Sequence, residues 1–227
     1  MLYLWMRTII ISAISLFSSA YTKAQVPVSK EPRHHLVFAN DRVRVLNVLV
    51  PPGDTTQYHV HSTPSIFICF TKTRTGSQRK NEQPEYGTSV AGNVWFEDLS
   101  VPHIKIHRVW NMDTSVFHVM DIELLSKEKS FAINAQDIPY AHLQIDTPWA
   151  KTYSIGLANN ESVKINEQSY DFIFVAINDA KIKIVKNGTE SISLIKPGWF
   201  CWIDANDKFS FFNLGDSTAN FRLVGIK

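Results

Sequence analysis

One pattern, recurring after a fixed interval, constrains this chain more than anything else in it. Ser65-Ile66-Phe67-Ile68 is matched by Asp171-Phe172-Ile173-Phe174, and Gly92 ahead of Val94-Trp95 is matched by Gly198 ahead of Phe200-Cys201, both at an offset of 106 residues. Farther along, Asn111-Met112 with Val119-Met120-Asp121-Ile122 corresponds to Asn213-Leu214 with Leu223-Val224-Gly225-Ile226, after small insertions or deletions. A pattern used twice at this spacing implies two similar units of about a hundred residues each. Their joint is expected near Ser126 to Ser130, where a Lys-Glu-Lys cluster favours solvent.

Both units read as β-structure. Short β-branched and aromatic runs alternate with turn residues, and almost no stretch sustains a helical period. Strands are expected over Val43 to Val50, Ile66 to Thr71, Val94 to Glu97, Ile104 to Val109 and Val116 to Glu123. The series continues over Tyr153 to Leu157, Phe172 to Ile177, Lys181 to Val185, Ser191 to Ile195 and Phe221 to Ile226. Lys72 to Ser89, rich in Thr, Lys, Arg, Gly and Gln, reads as a long polar loop bordering a pocket mouth. The expected fold class is therefore all-β.

The 227 residues, 44% of them hydrophobic, suffice for a large core. Residues 1–24 carry Arg7, an apolar run from Ile9 to Phe17, and small residues at Ser18, Ser19 and Ala20, the pattern of a secretory signal peptide. Cleavage before Gln25 removes Arg7 and Lys23, leaving 23 − 2 = 21 basic against 21 acidic residues. A neutral chain without a basic block lacks the footprint of a nucleic-acid binder, and once the signal is removed no stable membrane span is expected. A small-molecule ligand is the partner that remains; exposed barrel edges would also allow a homodimer. Export places the protein in the periplasm or outside the cell. Cys69 and Cys201 are too few for a disulfide framework and read as two free, buried thiols.

His59 and His61 stand one residue apart in a strand-like stretch, so their side chains leave the same face and can reach one ion together. His107 offers a third imidazole if the fold brings its stretch alongside. The spacing Gly53, five residues, His59-x-His61, followed by Pro102, four residues, His107, three residues, Asn111 resembles the two signature motifs of the cupin superfamily. By that resemblance, residues 33–125 form a cupin barrel (a double-stranded β-helix, or jelly roll) with His59, His61 and His107 as metal ligands. Gly53 and Pro102 then make turns and Asn111 is structural. The repeat extends the implication to a second, degenerate barrel over 131–227, a bicupin in all.

The chain departs from the motifs at Ser65, where a ligating glutamate is expected, and at Ile104, where a glycine is expected. Three neutral imidazoles leave the full dipositive charge on the ion, so anionic or chelating ligands are favoured at open positions. Resemblance to oxygenases favours iron(II), with zinc, copper, nickel or manganese as alternatives that imidazole also suits. In the second unit the repeat places Ile165 and Glu167 at the histidine positions, and Phe209 precedes Asn213 as His107 precedes Asn111, so no metal is expected there. Trp199, Trp202, Phe211 and Phe212 read as core or interface.

Among the other residues, His34 and His35 are expected to be solvated, His103 to lie on the surface and His118 to be a hydrogen-bonded core residue; His142 belongs to the ligand-free unit. Trp95, Glu97 and Arg74 are candidates to line the cavity, and Glu97 is the acidic residue placed for proton transfer. The expected function is an exported, metal-dependent, dioxygenase-like oxidoreductase acting on a small molecule. Its rivals are a non-catalytic binding protein with the same pocket, and a barrel whose histidines only hydrogen-bond.

Overall fold

The computed structural model describes residues 25–126, 138–165 and 170–227. The signal-like segment, residues 127–130 of the expected joint and Glu167 lie outside the described residues. The first half contains β1 (Val26–Pro27), β2 (His34–Ala39), β3 (Val43–Val50), β4 (His59–His61), β5 (Ser65–Cys69), β6 (Arg74–Arg79), β7 (Glu85–Thr88), β8 (Val94–Glu97), β9 (Lys105–Asn111) and β10 (Phe117–Leu124). The second contains β11 (Ala141–Asp146), β12 (Ala150–Leu157), β13 (Ser162–Ile165), β14 (Phe172–Ala176), β15 (Ala180–Lys186), β16 (Thr189–Ile195), β17 (Phe200–Ile203), β18 (Phe209–Asn213) and β19 (Ala219–Ile226). A 3-10 turn over Val28–Lys30 is the helical element among the described residues.

Apart from β1, which has no counterpart among the described residues, the same strand order occurs twice. One sheet of the first half runs β2-β3-β10-β5-β8 and its counterpart runs β11-β12-β19-β14-β17; the other runs β1-β4-β9-β6-β7 and its counterpart β13-β18-β15-β16. The two asparagines of the repeat tie matching corners: Asn111 Nδ2 donates to the carbonyls of Val50 (2.9 Å) and Ser115 (2.7 Å), and Asn213 Nδ2 donates to those of Leu157 (2.9 Å) and Ser217 (2.7 Å). Gly92 and Gly198 both adopt positive φ, +83° and +85°, a conformation that costs glycine little.

Strand β5 is buried along its whole length because its two faces serve different cores. Phe67 and Cys69 join Val48, Val50 and Val119 inside the first half. Ile66 and Ile68 instead join Val43, Val45, Met120 and Ile122 in a cluster completed by Ile173, Val175, Val224 and Ile226 of the second half. A strand covered on both sides shows no polar alternation, which is why these segments read as continuous apolar runs. The interior of the second half is filled by aromatic rings, with Phe174 stacked on Phe211 at 3.7 Å and Phe221 at 4.4 Å from Phe174.

Polar groups also cross between the halves. Arg222 donates to the carbonyl of Gly92. His118 donates from Nε2 to Asn47 Oδ1 at 2.6 Å, and its ring lies against Gly198, where a Cβ would fall 2.7 Å from His118 Cε1. Burial holds His118 at about 4. Because the unfolded chain takes up this proton near 6.5, the stability contributed by the neutral ring is present above that value and is lost as pH falls toward 4. His118→Gln is expected to make the loss of melting temperature between pH 6.5 and 4 shallower than in the parent. Parallel curves for the two proteins would contradict this.

Lys72 to Ser89 is not a loop. Its polar residues form the β6–β7 hairpin, with β6 paired to β9 and β7 at the sheet edge. Strand β7 is exposed throughout, so backbone pairing rather than hydrophobic alternation defines it. Cys69 and Cys201 are both free thiols; Cys69 is buried and Cys201 is only partly covered. No helix among the described residues is long and apolar enough to cross a membrane.

Candidate metal centre

The antiparallel pairing of β4 with β9 sets His59 directly across from His107 and His61 across from Lys105. Strand alternation turns His59, His61 and His107 to the interior, while Val60 and Ile106 take the other face. The three imidazoles converge through their ε nitrogens: His59 Nε2 lies 3.1 Å from His61 Nε2, which lies 3.1 Å from His107 Nε2. Ligands each about 2.0–2.2 Å from one ion stand about 3–3.5 Å apart, so this spacing fits a shared divalent ion. Burial holds His59 near 4 and keeps His61 and His107 well below the usual histidine range. All three are therefore neutral at pH 7, with lone pairs free to coordinate.

Two of the outward-facing nitrogens are held from behind. His59 Nδ1 is 2.8 Å from the Gln57 carbonyl and His107 Nδ1 is 3.3 Å from Ser77 Oγ; His61 Nδ1 lies 3.5 Å from Asp121 Oδ2 without a hydrogen bond. For His59 and His107 such partners fix ring orientation and put the proton on Nδ1, leaving Nε2 as the donor atom. Asp121 is fully buried, and burial together with nearby Glu123 raises its carboxyl well above the ordinary range.

His34 corrects the sequence expectation. It is buried, 8% exposed, rather than solvated, because the turn at Val28–Lys30 folds Glu31 beneath it. Its ring centroid is 4.6 Å from that of His59 and 6.2 Å from that of His61. Ligating atoms of His34, His59 and His61 all lie within 4.8 Å of one another, a cluster able to hold a metal. Neither His34 nor Asp121 belongs to the residues singled out from sequence. Asp121 was visible there only as part of the repeat, and nothing about His34-His35 distinguishes a ring turned inward.

The histidines open onto a cavity of about 300 Å³. Val48, Val109, Phe117 and Val119 give it an apolar wall, and the Phe67 ring stacks on Trp95 at 5.1 Å. Glu97 and Lys105 line it as an ion pair, with Lys105 Nζ donating to both carboxylate oxygens at 2.8 and 3.0 Å. Trp95 and Glu97 thus stand where expected. Arg74 does not: it is exposed outside the cavity and pairs with Asp113 at 3.7 Å. Ser65 is fully buried and donates to the Thr63 carbonyl at 3.2 Å, opposite Glu97 and Glu123 on the flanking strands. Glu123 is in turn committed to Arg44.

His35, His103 and His142 are exposed, and His118 faces the second half rather than the cluster. In the second half, Ile165 pairs with Phe209 across β13 and β18, as His59 pairs with His107. Both are buried apolar residues and offer no donor atom. Phe211 is core, Trp199 packs against that core, and Trp202 stacks on Phe38 across the junction at 5.5 Å. Phe212 packs under the Lys183 ammonium, which sits 4.5 Å from its ring centre.

The paired sheets and their inward histidines define a cupin fold. No family model matches the chain, and no curated protein matches its sequence. Among solved structures it is similar to AerE from Microcystis aeruginosa, with a TM-score of 0.60 at 11% identity over 87% of this chain and 98% of that one. A cupin 2 conserved barrel domain protein from Leptotrichia buccalis aligns with a TM-score of 0.55 at 11% identity, covering 85% and 88% of the two chains. Salicylate 1,2-dioxygenase from Pseudaminobacter salicylatoxidans aligns with a TM-score of 0.57 at 10% identity over 82% of this chain and 71% of that one. At these identities the likeness carries the fold and not the reaction.

Proposed function

We propose that this protein is a metal-dependent cupin oxidoreductase of dioxygenase type, with one divalent ion held by His59, His61 and His107 and a small organic substrate in the adjoining cavity. The supporting observation is the convergence of three buried, neutral ε nitrogens, successive pairs 3.1 Å apart, on that cavity. A redox-active ion there would supply Lewis acidity and a path for oxygen chemistry. The chain's own residues do the rest. Gln57 and Ser77 orient two of the imidazoles, Phe67 and Trp95 offer a flat wall for a planar substrate, and the apolar face around Val48 and Val119 excludes water. Iron(II) is the proposed metal, and export through residues 1–24 is part of the same proposal, resting on the sequence of that segment.

One observation favours the rival, a non-catalytic binder. Glu97, the carboxylate placed for proton transfer, is held by Lys105 at 2.8 Å and is not free to act as a base. Purified protein loaded anaerobically with iron(II) and then offered oxygen and a panel of small phenols and organic anions separates the two. Substrate-dependent oxygen uptake that disappears with His107→Ala supports the enzyme. Ligand binding with one metal per chain and no oxygen uptake across the panel supports the binder.

A further inference from the structure

We propose that His34 is a fourth metal ligand and that Glu31, behind it, supplies the negative charge that Ser65 no longer can. The inference rests on the metal-centre reading above and adds to it a ligand from a different part of the chain, outside both signature motifs.

The geometry of Glu31 carries the case. The carboxylate is 1% exposed, yet it is fully engaged: Oε2 accepts from His34 Nδ1 at 2.7 Å and from the Arg33 amide at 2.7 Å, and Oε1 accepts from the Gln57 amide at 3.1 Å. A carboxylate accepting from Nδ1 fixes the proton there and leaves the ε nitrogen bare, on a ring whose centroid lies 4.6 Å from that of His59 and 6.2 Å from that of His61. Ligands opposite each other on one ion stand about 4.0–4.4 Å apart, twice the usual bond length. The ligating atoms of His34, His59 and His61 all lie within 4.8 Å of one another, so a shift of at most about half an ångström brings them within that span.

Charge points the same way. With serine at position 65, a centre of three neutral imidazoles carries both positive charges of the ion into a buried site, which is costly without a counter-charge. The Glu31–His34 pair returns negative charge at one imidazole's remove; the Arg33 guanidinium, 3.8 Å from Glu31 Oε1, is itself bonded to Asp54 at 2.7 Å. The pair also keeps the number of open positions that a directly bound glutamate would leave, two on a six-coordinate ion, enough for a chelating ligand. Gln57 links the two sides, since its amide donates to Glu31 while its carbonyl accepts from His59 Nδ1 at 2.8 Å.

Cobalt(II) titration of the full chain, read by affinity and by the visible absorption of the bound ion, tests this without reference to activity. The parent is expected to bind one cobalt per chain. His34→Ala should still bind one, at least about 10–100-fold more weakly and with a changed spectrum, and Glu31→Gln should lose about tenfold. Parent affinity and parent spectrum in His34→Ala would overturn the assignment. If that variant does not fold, Glu31→Gln decides, because it preserves the shape and removes the charge; unchanged affinity and spectrum there would refute the counter-charge. Absence of cobalt from the parent itself would be a separate result, removing the metal centre on which the inference stands.

Discussion

His61→Ala is expected to reduce bound metal from one ion per chain to a level below detection by elemental analysis, with the apo fold intact by circular dichroism. His61 lies 3.1 Å from the ε nitrogens of both His59 and His107, so its loss removes a donor from a three-ligand set. Loss of an outer partner commonly weakens metal binding about 10–100-fold, and loss of a direct ligand should exceed that. The same substitution leaves Asp121, fully buried, beside an empty space. Burial holds Asp121 well above the usual carboxylate range, which lowers the cost of leaving it without the imidazole. Metal content in His61→Ala equal to the parent would disprove the centre.

The second large effect concerns the junction between the halves. Ile68→Asp places a carboxylate in the cluster that Val43, Val45, Met120 and Ile122 share with Ile173, Val175, Val224 and Ile226. Breaking an apolar contact with a buried charge costs several kcal/mol, about 3–5 by analogy with a broken buried pair. Domain stabilities are about 5–15 kcal/mol, so a large part of the total is removed. Since the cluster is common property, both halves should unfold in one transition at lower denaturant concentration. Two separate transitions, with the second half melting as in the parent, would show instead that each half stands alone.

Much of this was visible in the chain, for identifiable reasons. The strand at Val43–Val50 could be drawn to the residue because it is long and β-branched. The 106-residue offset was legible because both copies keep the same buried strand, β5 in one and β14 in the other, under the same demand for apolar side chains on both faces. His59 and His61 were legible from strand alternation and His107 from the resemblance of its motif to the cupin pattern; one antiparallel register then brings His107 opposite His59. Strands β6 and β7 were hidden because an exposed edge hairpin is specified by backbone pairing and leaves no periodic mark. His34 was hidden for a different reason. Its burial depends on a short turn at Val28–Lys30 and on the single carboxylate of Glu31, contacts that a count of hydrophobic positions does not register.

The exposed hairpin has a further significance. Gly87 and Thr88, in the exposed edge strand β7, line the same cavity as the histidines, yet they lie outside all three apolar clusters. Substitutions on an exposed edge generally change stability by about 0.5 kcal/mol or less. Ligand preference can therefore drift in this strip of surface while the metal seat and the double core stay as they are, so selection can act on what the pocket accepts almost independently of what keeps the protein folded.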